Sequence, residues 1–349
     1  MRNTLVFVAI TLSLTACGNR SRGPSSVSVL SSQKIGTYFV TPWQLPALGS
    51  NVRIVGTHDS GILVEAAVSD EKELFAKAPQ SFRMDEWKKE YSAYNFSSME
   101  QKVKQLALQF PSLATLQTYG RSTQGRPEYV MVIDNPAIAT PKKQVMITAA
   151  THGNETATVD VALGLMELLL KGNGVDSRIT SMLSNHTVYI VPAVCVDSYV
   201  AETREADGRD PNRDYPYPEQ QVRSPVTCIK QIMNFVETHQ IAGTLDFHDA
   251  ASMIFFPWAY TYDPIPEPDY TKLDTLTTKM AAHNGFEHGQ IAETIYIAPG
   301  SSADYYYWKH HATATAIELS HNKAASGPNY NDLVDEVTDA TWTFIEGVQ

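Results

Sequence analysis

His152 and Glu155 sit three residues apart in the segment TAATHGNETATVD, Thr148 to Asp160. Before them runs the apolar stretch Val145 to Ala150; after them Val159, Ala162, Leu163, Met166, Leu169 and Leu170 recur at helical spacing. A strand therefore ends and a helix begins around this pair. A largely parallel sheet presents its reactive side chains at the carboxyl ends of its strands, so an imidazole and a carboxylate placed there can face one crevice. Both are ordinary ligands of zinc, but a catalytic zinc takes three protein ligands and keeps a fourth position for water. Alone the pair is a weak signal, because a polar turn His beside a Glu in a helix's first turn gives the same letters.

Two further strand ends strengthen it. GTLDFHDAASMIFFPW is an apolar strand that delivers His248 at its end, with a turn just after. TATAIELSH holds Glu318 in Ala- and Thr-rich surroundings, where an idle carboxylate would bear a large desolvation cost. The combination is hard to account for as packing. Competing catalytic patterns fail: the chain has no H-E-x-x-H, GRSTQG is not the G-x-S-x-G elbow of serine hydrolases, and KGNGVDS lacks the lysine of a phosphate loop.

Positioning these side chains requires strands and helices in alternation, and the sequence supplies them. A helix signature in SSMEQKVKQLALQFPS has Ser97 or Ser98 as N-cap and stops at Pro111. EYVMVID, KQVMITAA, a helix over 156–171 and HTVYIVPAV follow. This rhythm predicts an α/β fold, a mixed and mostly parallel twisted sheet covered by helices on both faces. Earlier, TYFV, NVRIVG and ILVEAAV alternate and DEKELFAKA is helical, which predicts a small α/β unit over 36–85, either an independent subdomain or a remnant shaped like a propeptide. The chain of 349 residues, 43% hydrophobic, can bury a full core, and its net charge of -11 argues against nucleic acid as a partner.

The amino terminus reads separately. Met1-Arg2-Asn3 is a positive start, and Thr4 to Leu14 is apolar but too short to span a bilayer, which makes residues 1–16 a signal peptide. LTAC, Leu14 to Cys17, resembles the lipobox of bacterial lipoproteins. That resemblance implies lipidation at Cys17, with Gly18 rather than Asp after it pointing to the outer membrane, facing the periplasm. An ordinary secretory signal is the alternative, and both imply export. Residues 17–35 are Ser-rich and read as a flexible tether. Export places Cys195 and Cys228 in an oxidising compartment, where they are able to pair if their Cα atoms lie close enough.

From Tyr91 to Gln349 the sequence resembles the zinc carboxypeptidases of peptidase family M14, the carboxypeptidase A and carboxypeptidase N/E type. YGRSTQGRP is similar to the family's G-[KR]-S-x-x-G-R-P segment, His152-x-x-Glu155 and His248 match its zinc ligands in order, DPNRDYPYP resembles its D-x-N-R element, and ETIYIAPGSSADYYY its I-Y-x-A-x-G-x-S-x-D stretch. The resemblance implies a catalytic domain over 90–349, with one zinc ion held by His152, Glu155 and His248. Glu318 falls on the catalytic general base, Asn212 and Arg213 on the clamp for a substrate's terminal carboxylate, and Tyr296 on the substrate-binding Tyr. Arg204 falls on the oxyanion stabiliser, with Arg209 as competitor, and Asp210 on the carboxylate that orients His152. The implied function is an exported zinc metallocarboxypeptidase acting on peptides with a free C-terminal carboxylate. A cell-wall stem-peptide enzyme of the same family and a catalytically silent peptide-binding lipoprotein are the alternatives. CVDS, Cys195 to Ser198, departs from the family's usual NPDG and loosens the alignment up to Arg209. Ala303 stands where basic-residue specialists carry Asp, which disfavours a Lys or Arg preference, although Asp246 and Asp304 could still bring negative charge to the pocket.

Overall fold

Apolar alternation and turn chemistry lay down two separate sheets. The computed structural model describes residues 35–40, 45–48, 52–58, 61–77, 82–83, 94–138, 141–223, 225–320 and 330–348. The expected signal peptide, the lipidation site at Cys17 and nearly all of the tether lie outside the described residues.

The first sheet is antiparallel, in the order β2-β3-β1-β4, from β1 (Ile35–Val40), β2 (Val52–His58), β3 (Gly61–Ala67) and β4 (Phe82–Arg83). Helices α1 (Leu45–Leu48) and α2 (Glu71–Lys77) accompany it. Tyr38, Val40, Leu48, Val64, Ala66 and Leu74 give it a core of its own.

The second sheet has eight strands in the order β11-β10-β12-β9-β7-β8-β6-β5. In chain order these are β5 (Ala114–Arg121), β6 (Pro127–Ile133), β7 (Lys143–Thr148), β8 (His186–Val191), β9 (Ile241–Asp249), β10 (Met253–Phe256), β11 (Glu287–Gln290) and β12 (Thr313–Leu319). The helices are α3 (Phe96–Gln109), α4 (Ala157–Gly172), α5 (Ser177–Asn185), α6 (Val196–Ala201), α7 (Thr227–Glu237), α8 (Asp269–Ala281), α9 (Ile291–Thr294), α10 (Ser302–His310) and α11 (Tyr330–Gly347). Strands β12, β9, β7 and β8 run parallel at the centre; β6 and β10 join antiparallel on either side.

Strand alternation divides the core in two. Val145, Ile147, Leu245, Phe247, Ile317 and Leu319 pack with α4 and α11 on one face, while Met146, Tyr189, Val191 and Ala314 pack with α7 and α10 on the other. Both faces are covered, hence the near-continuous apolar runs of the central strands. Helix α4 is buried almost all round, as expected for a helix apolar on every side. After β7 the chain crosses to β8 on one side, whereas β9 lies on the other; the strand order thus reverses at β7 and a crevice opens at the carboxyl ends.

Helix α3 begins earlier than the expected Ser97 or Ser98 cap. Asn95 is the N-cap: its Oδ1 accepts from Ser98 N at 3.1 Å, and its own N–H donates to Ser98 Oγ at 2.9 Å. Asn caps as well as Ser, and the reciprocal pair satisfies two otherwise orphaned donors. Among the described residues no helix is long and apolar enough to cross a membrane.

Candidate active site

The turn after β7 places the first two ligand candidates. Ala150 takes a left-handed φ of 46°, and Gly153 lies so close to α6 that a Cβ there would meet the Ser198 carbonyl carbon at 2.0 Å. Only glycine allows this approach, which swings His152 and Glu155 over the carboxyl end of β7. His248 arrives from β9 and faces the same point.

His152 Nδ1 lies 2.9 Å from Glu155 Oε1, and His248 Nδ1 lies 2.9 Å from Glu155 Oε2. One donor atom from each residue falls within 4.8 Å of the other two, and all three side chains are buried. Behind the rings, His152 Nε2 is 2.9 Å from Asp210 Oδ1 and His248 Nε2 is 3.1 Å from Asp246 Oδ2. Burial alone raises the Glu155 pKa, but the facing His152 and His248 more than reverse it and hold the carboxyl well below its usual range. Two imidazoles aim the same type of nitrogen at one buried carboxylate, with two further carboxylates behind them. Such a donor set carries net negative charge toward its centre and fits a divalent cation with N and O ligands, as zinc has.

Arg204 stands at the rim of this set. Its Nε and Nη2 donate to Asp210 Oδ2 at 3.1 and 2.8 Å, and its Nη1 is 3.6 Å from Glu155 Oε1. Asp210 therefore receives His152 and Arg204 together; burial pushes its pKa up, and the facing His152 and Arg204 hold it far below the usual range. Arg209, the competitor, instead turns outward to pair with Asp214 at 2.9 Å. Of the two, Arg204 is the one that lies beside the ligand candidates.

Arg213 Nη2 donates to the Tyr296 hydroxyl at 2.8 Å, and its guanidinium lies 5.5 Å from the Tyr296 ring. Asn212 Oδ1 accepts from Ser302 N at 2.8 Å, which ties Asn212 to the start of α10. Arg204, Asp210, Arg213 and Tyr296 border a cavity of about 280 Å³, whose other wall is Arg53, Ile54 and Glu65 of the small sheet. Glu318 sits on β12 in register with His248 of β9. Adjacent parallel strands lie about 4.8 Å apart and in-register side chains share a face, so the carboxylate stands beside the ligand set.

The two acids that left the specificity pocket open are both engaged. Asp304 accepts from Ala259 N and Tyr260 N at 2.7 and 2.9 Å, and burial raises its pKa to about 7. Asp246 accepts from Thr148, Thr151, Ser302 and His248. Neither offers a free carboxylate to a cationic side chain. Sequence points to Asp246 only as a source of negative charge in the pocket and not to Ser302 at all; the one signal for a role of Asp246 beside the ligands is its place two residues before His248, on the same face of a strand. Cys195 and Cys228 form a disulfide, Cα to Cα 5.2 Å, joining the start of α6 to α7 beneath the Arg204 loop.

The family model described as zinc carboxypeptidase matches residues 99–336. A zinc carboxypeptidase of Saccharothrix mutabilis subsp. capreolus is 24% identical over 340 residues, covering 84% of this chain and 75% of that protein. Carboxypeptidase D of Homo sapiens is 24% identical over 266 residues, 66% of this chain and 19% of that protein, so the chain spans about a fifth of its length. Among solved structures, thrombin activatable fibrinolysis inhibitor superposes with a TM-score of 0.75 at 15% identity, covering 90% of this chain and 99% of that one, a likeness of fold.

Proposed function

The chain belongs to the zinc carboxypeptidase family, a family of peptide hydrolases, and from that premise we propose that it removes single residues from the carboxyl ends of peptides outside the cytoplasm. The observation that carries this reading is the convergence of His152, Glu155 and His248 on one point beside Arg204 and Arg213.

His152, Glu155 and His248 would hold the zinc, which would supply Lewis-acid chemistry for the scissile carbonyl and a water activated near neutral pH. The protein's own residues do the rest. Glu318, on the strand next to His248, takes the proton of the attacking water and returns it to the leaving amine. Arg204 donates to the oxygen that becomes negative as the carbonyl is attacked; losing such a donor costs about 3 kcal/mol of transition-state stabilisation. Arg213 grips the substrate's terminal carboxylate with its planar fork, a geometry lysine lacks. Asn212 and Tyr296 complete that grip, which restricts cutting to a chain end. With Asp246 and Asp304 both engaged, a neutral C-terminal residue suits the pocket better than Lys or Arg.

Export and a lipid anchor at Cys17 belong to the same proposal, supported by the signal sequence and by the Cys195–Cys228 disulfide, a bond of oxidising compartments. The division into 1–16, 17–35, 36–85 and 90–349 is supported by the two separate sheets. Cell-wall stem peptides are the second substrate reading, favoured by a tether to an envelope membrane. A silent binding protein is disfavoured, because every catalytic position is filled.

The test is Glu318→Gln in the purified zinc-loaded protein. Zinc content stays at that of the wild type while turnover of free-carboxylate peptides falls on the order of 10²–10⁴-fold, the usual loss with a general base. Turnover at the wild-type rate would sink the assignment.

A further inference from the structure

We propose that Asp246 is a positioning residue that fixes the ring of His248 and couples the grip on the metal to the carboxylate clamp. The inference rests on reading His248 as a zinc ligand. Asp246 precedes His248 by two residues on β9, so strand alternation puts both on one face. Its carboxylate is buried and surrounded by four donor residues from three places in the chain. Oδ2 lies 3.1 Å from His248 Nε2 and 2.7 Å from Ser302 Oγ. Oδ1 lies 2.8 Å from Thr148 Oγ1, and Thr151 Oγ1 reaches both oxygens, at 3.2 and 3.3 Å.

Each bond has a separate consequence. His248 Nδ1 points at Glu155, so a metal there needs that nitrogen's lone pair, and the ring proton must then sit on Nε2. A carboxylate is the acceptor that holds the proton there and raises the ligand's basicity. Asn212 Nδ2 is also 3.2 Å from Nε2, but an amide cannot donate to a nitrogen that already carries a proton, so Asp246 is the partner that sets the tautomer. Thr151 adjoins His152 in the chain, which links the second imidazole to the same carboxylate. Ser302 reaches Asp246 through its hydroxyl and Asn212 through its backbone N–H. His152 has a corresponding carboxylate in Asp210, whose Oδ1 also accepts from Asn212 N at 2.9 Å, so each ring is held from behind by a carboxylate that reaches the substrate anchor, Asp246 by way of the Ser302 hydroxyl.

Competition with a chromophoric chelator measures zinc affinity apart from activity. Asp246→Asn weakens zinc binding about 10–100-fold, the usual loss with such an outer partner. Ser302→Ala leaves zinc affinity at the wild-type value and raises KM. Zinc binding by Asp246→Asn as tight as in the wild type, or a Ser302→Ala variant with unaltered KM, overturns the proposal. A wild type that holds no zinc would instead sink the zinc reading and this inference with it. Should Asp246→Asn fail to fold, nitrogen-15 spectra of histidines in the zinc-loaded wild type decide: a slowly exchanging proton on His248 Nε2 is expected, and a freely exchanging one contradicts the role.

Discussion

Arg213, half-buried, and Glu128, fully buried, are two ionisable side chains with opposite fates. Arg213 is held by Tyr296 and by the Asn212 carbonyl, its fork directed at the cavity. Arg213→Ala should raise KM on the order of 10–100-fold for free-carboxylate peptides, the worth of one or two charge-assisted hydrogen bonds, and change the KM of the matching amides little; steady-state kinetics on the two series checks it. Glu128, on β6, is fully buried and neither of its carboxylate oxygens has a partner among the described residues. Burial first, and the nearby Asp197 second, raise its pKa to about 8. The folded state therefore holds a proton that the unfolded chain releases near pH 4.5. The stability this gives is full below that pH and drains as pH rises to about 8. Glu128→Gln should flatten the fall in unfolding free energy between pH 5 and 8, measured by urea titration; a slope as steep as the wild type's would contradict it. Sequence exposed His152, Glu155, His248 and Glu318, because each breaks an apolar pattern at a strand end. It did not expose the place of Asp246 behind His248, because the donors Thr148 and Thr151 come from one segment and Ser302 from another remote in the chain.

Elements carry the precision of the site. Register between β9 and β12 brings Glu318 beside His248, and the β7 turn owes its course to the missing side chain of Gly153. Alternation and helical spacing made β1 to β3, β6 to β9, β12 and helices α2, α3 and α4 legible, since one period or the other dominates each of those segments; GTLDFHDAASMIFFPW, read as one strand, divides into β9 and β10 at a turn. Sheet order was not legible, because pairing between β12 and β9 or β10 and β11 depends on contacts remote in sequence. Nor was the choice between Arg204 and Arg209, which depends on the fold of the loop after α6. The Cys195–Cys228 disulfide braces that loop. Replacing both cysteines with serine should cost about 3–4 kcal/mol of stability, from closure of a loop 33 residues long. Thermal unfolding of the double variant checks this, and an unchanged melting temperature would show that the bond does not constrain the unfolded chain.

At the scale of the whole molecule, a mixed sheet covered on both faces puts its functional groups where its strand order reverses, and a second small sheet borders the cavity beside them. The acidic chain, at net charge -11, gathers Arg204 and Arg213 at that one place, which suits a peptide's terminal carboxylate. All of this depends on three residues from two separate stretches sharing one ion. The most direct measurement is a crystal grown with zinc and measured on both sides of the zinc absorption edge. The account predicts a single anomalous peak about 2.0–2.2 Å from His152 Nδ1, His248 Nδ1 and a Glu155 oxygen; a map with no peak there, while zinc is bound elsewhere, would contradict it.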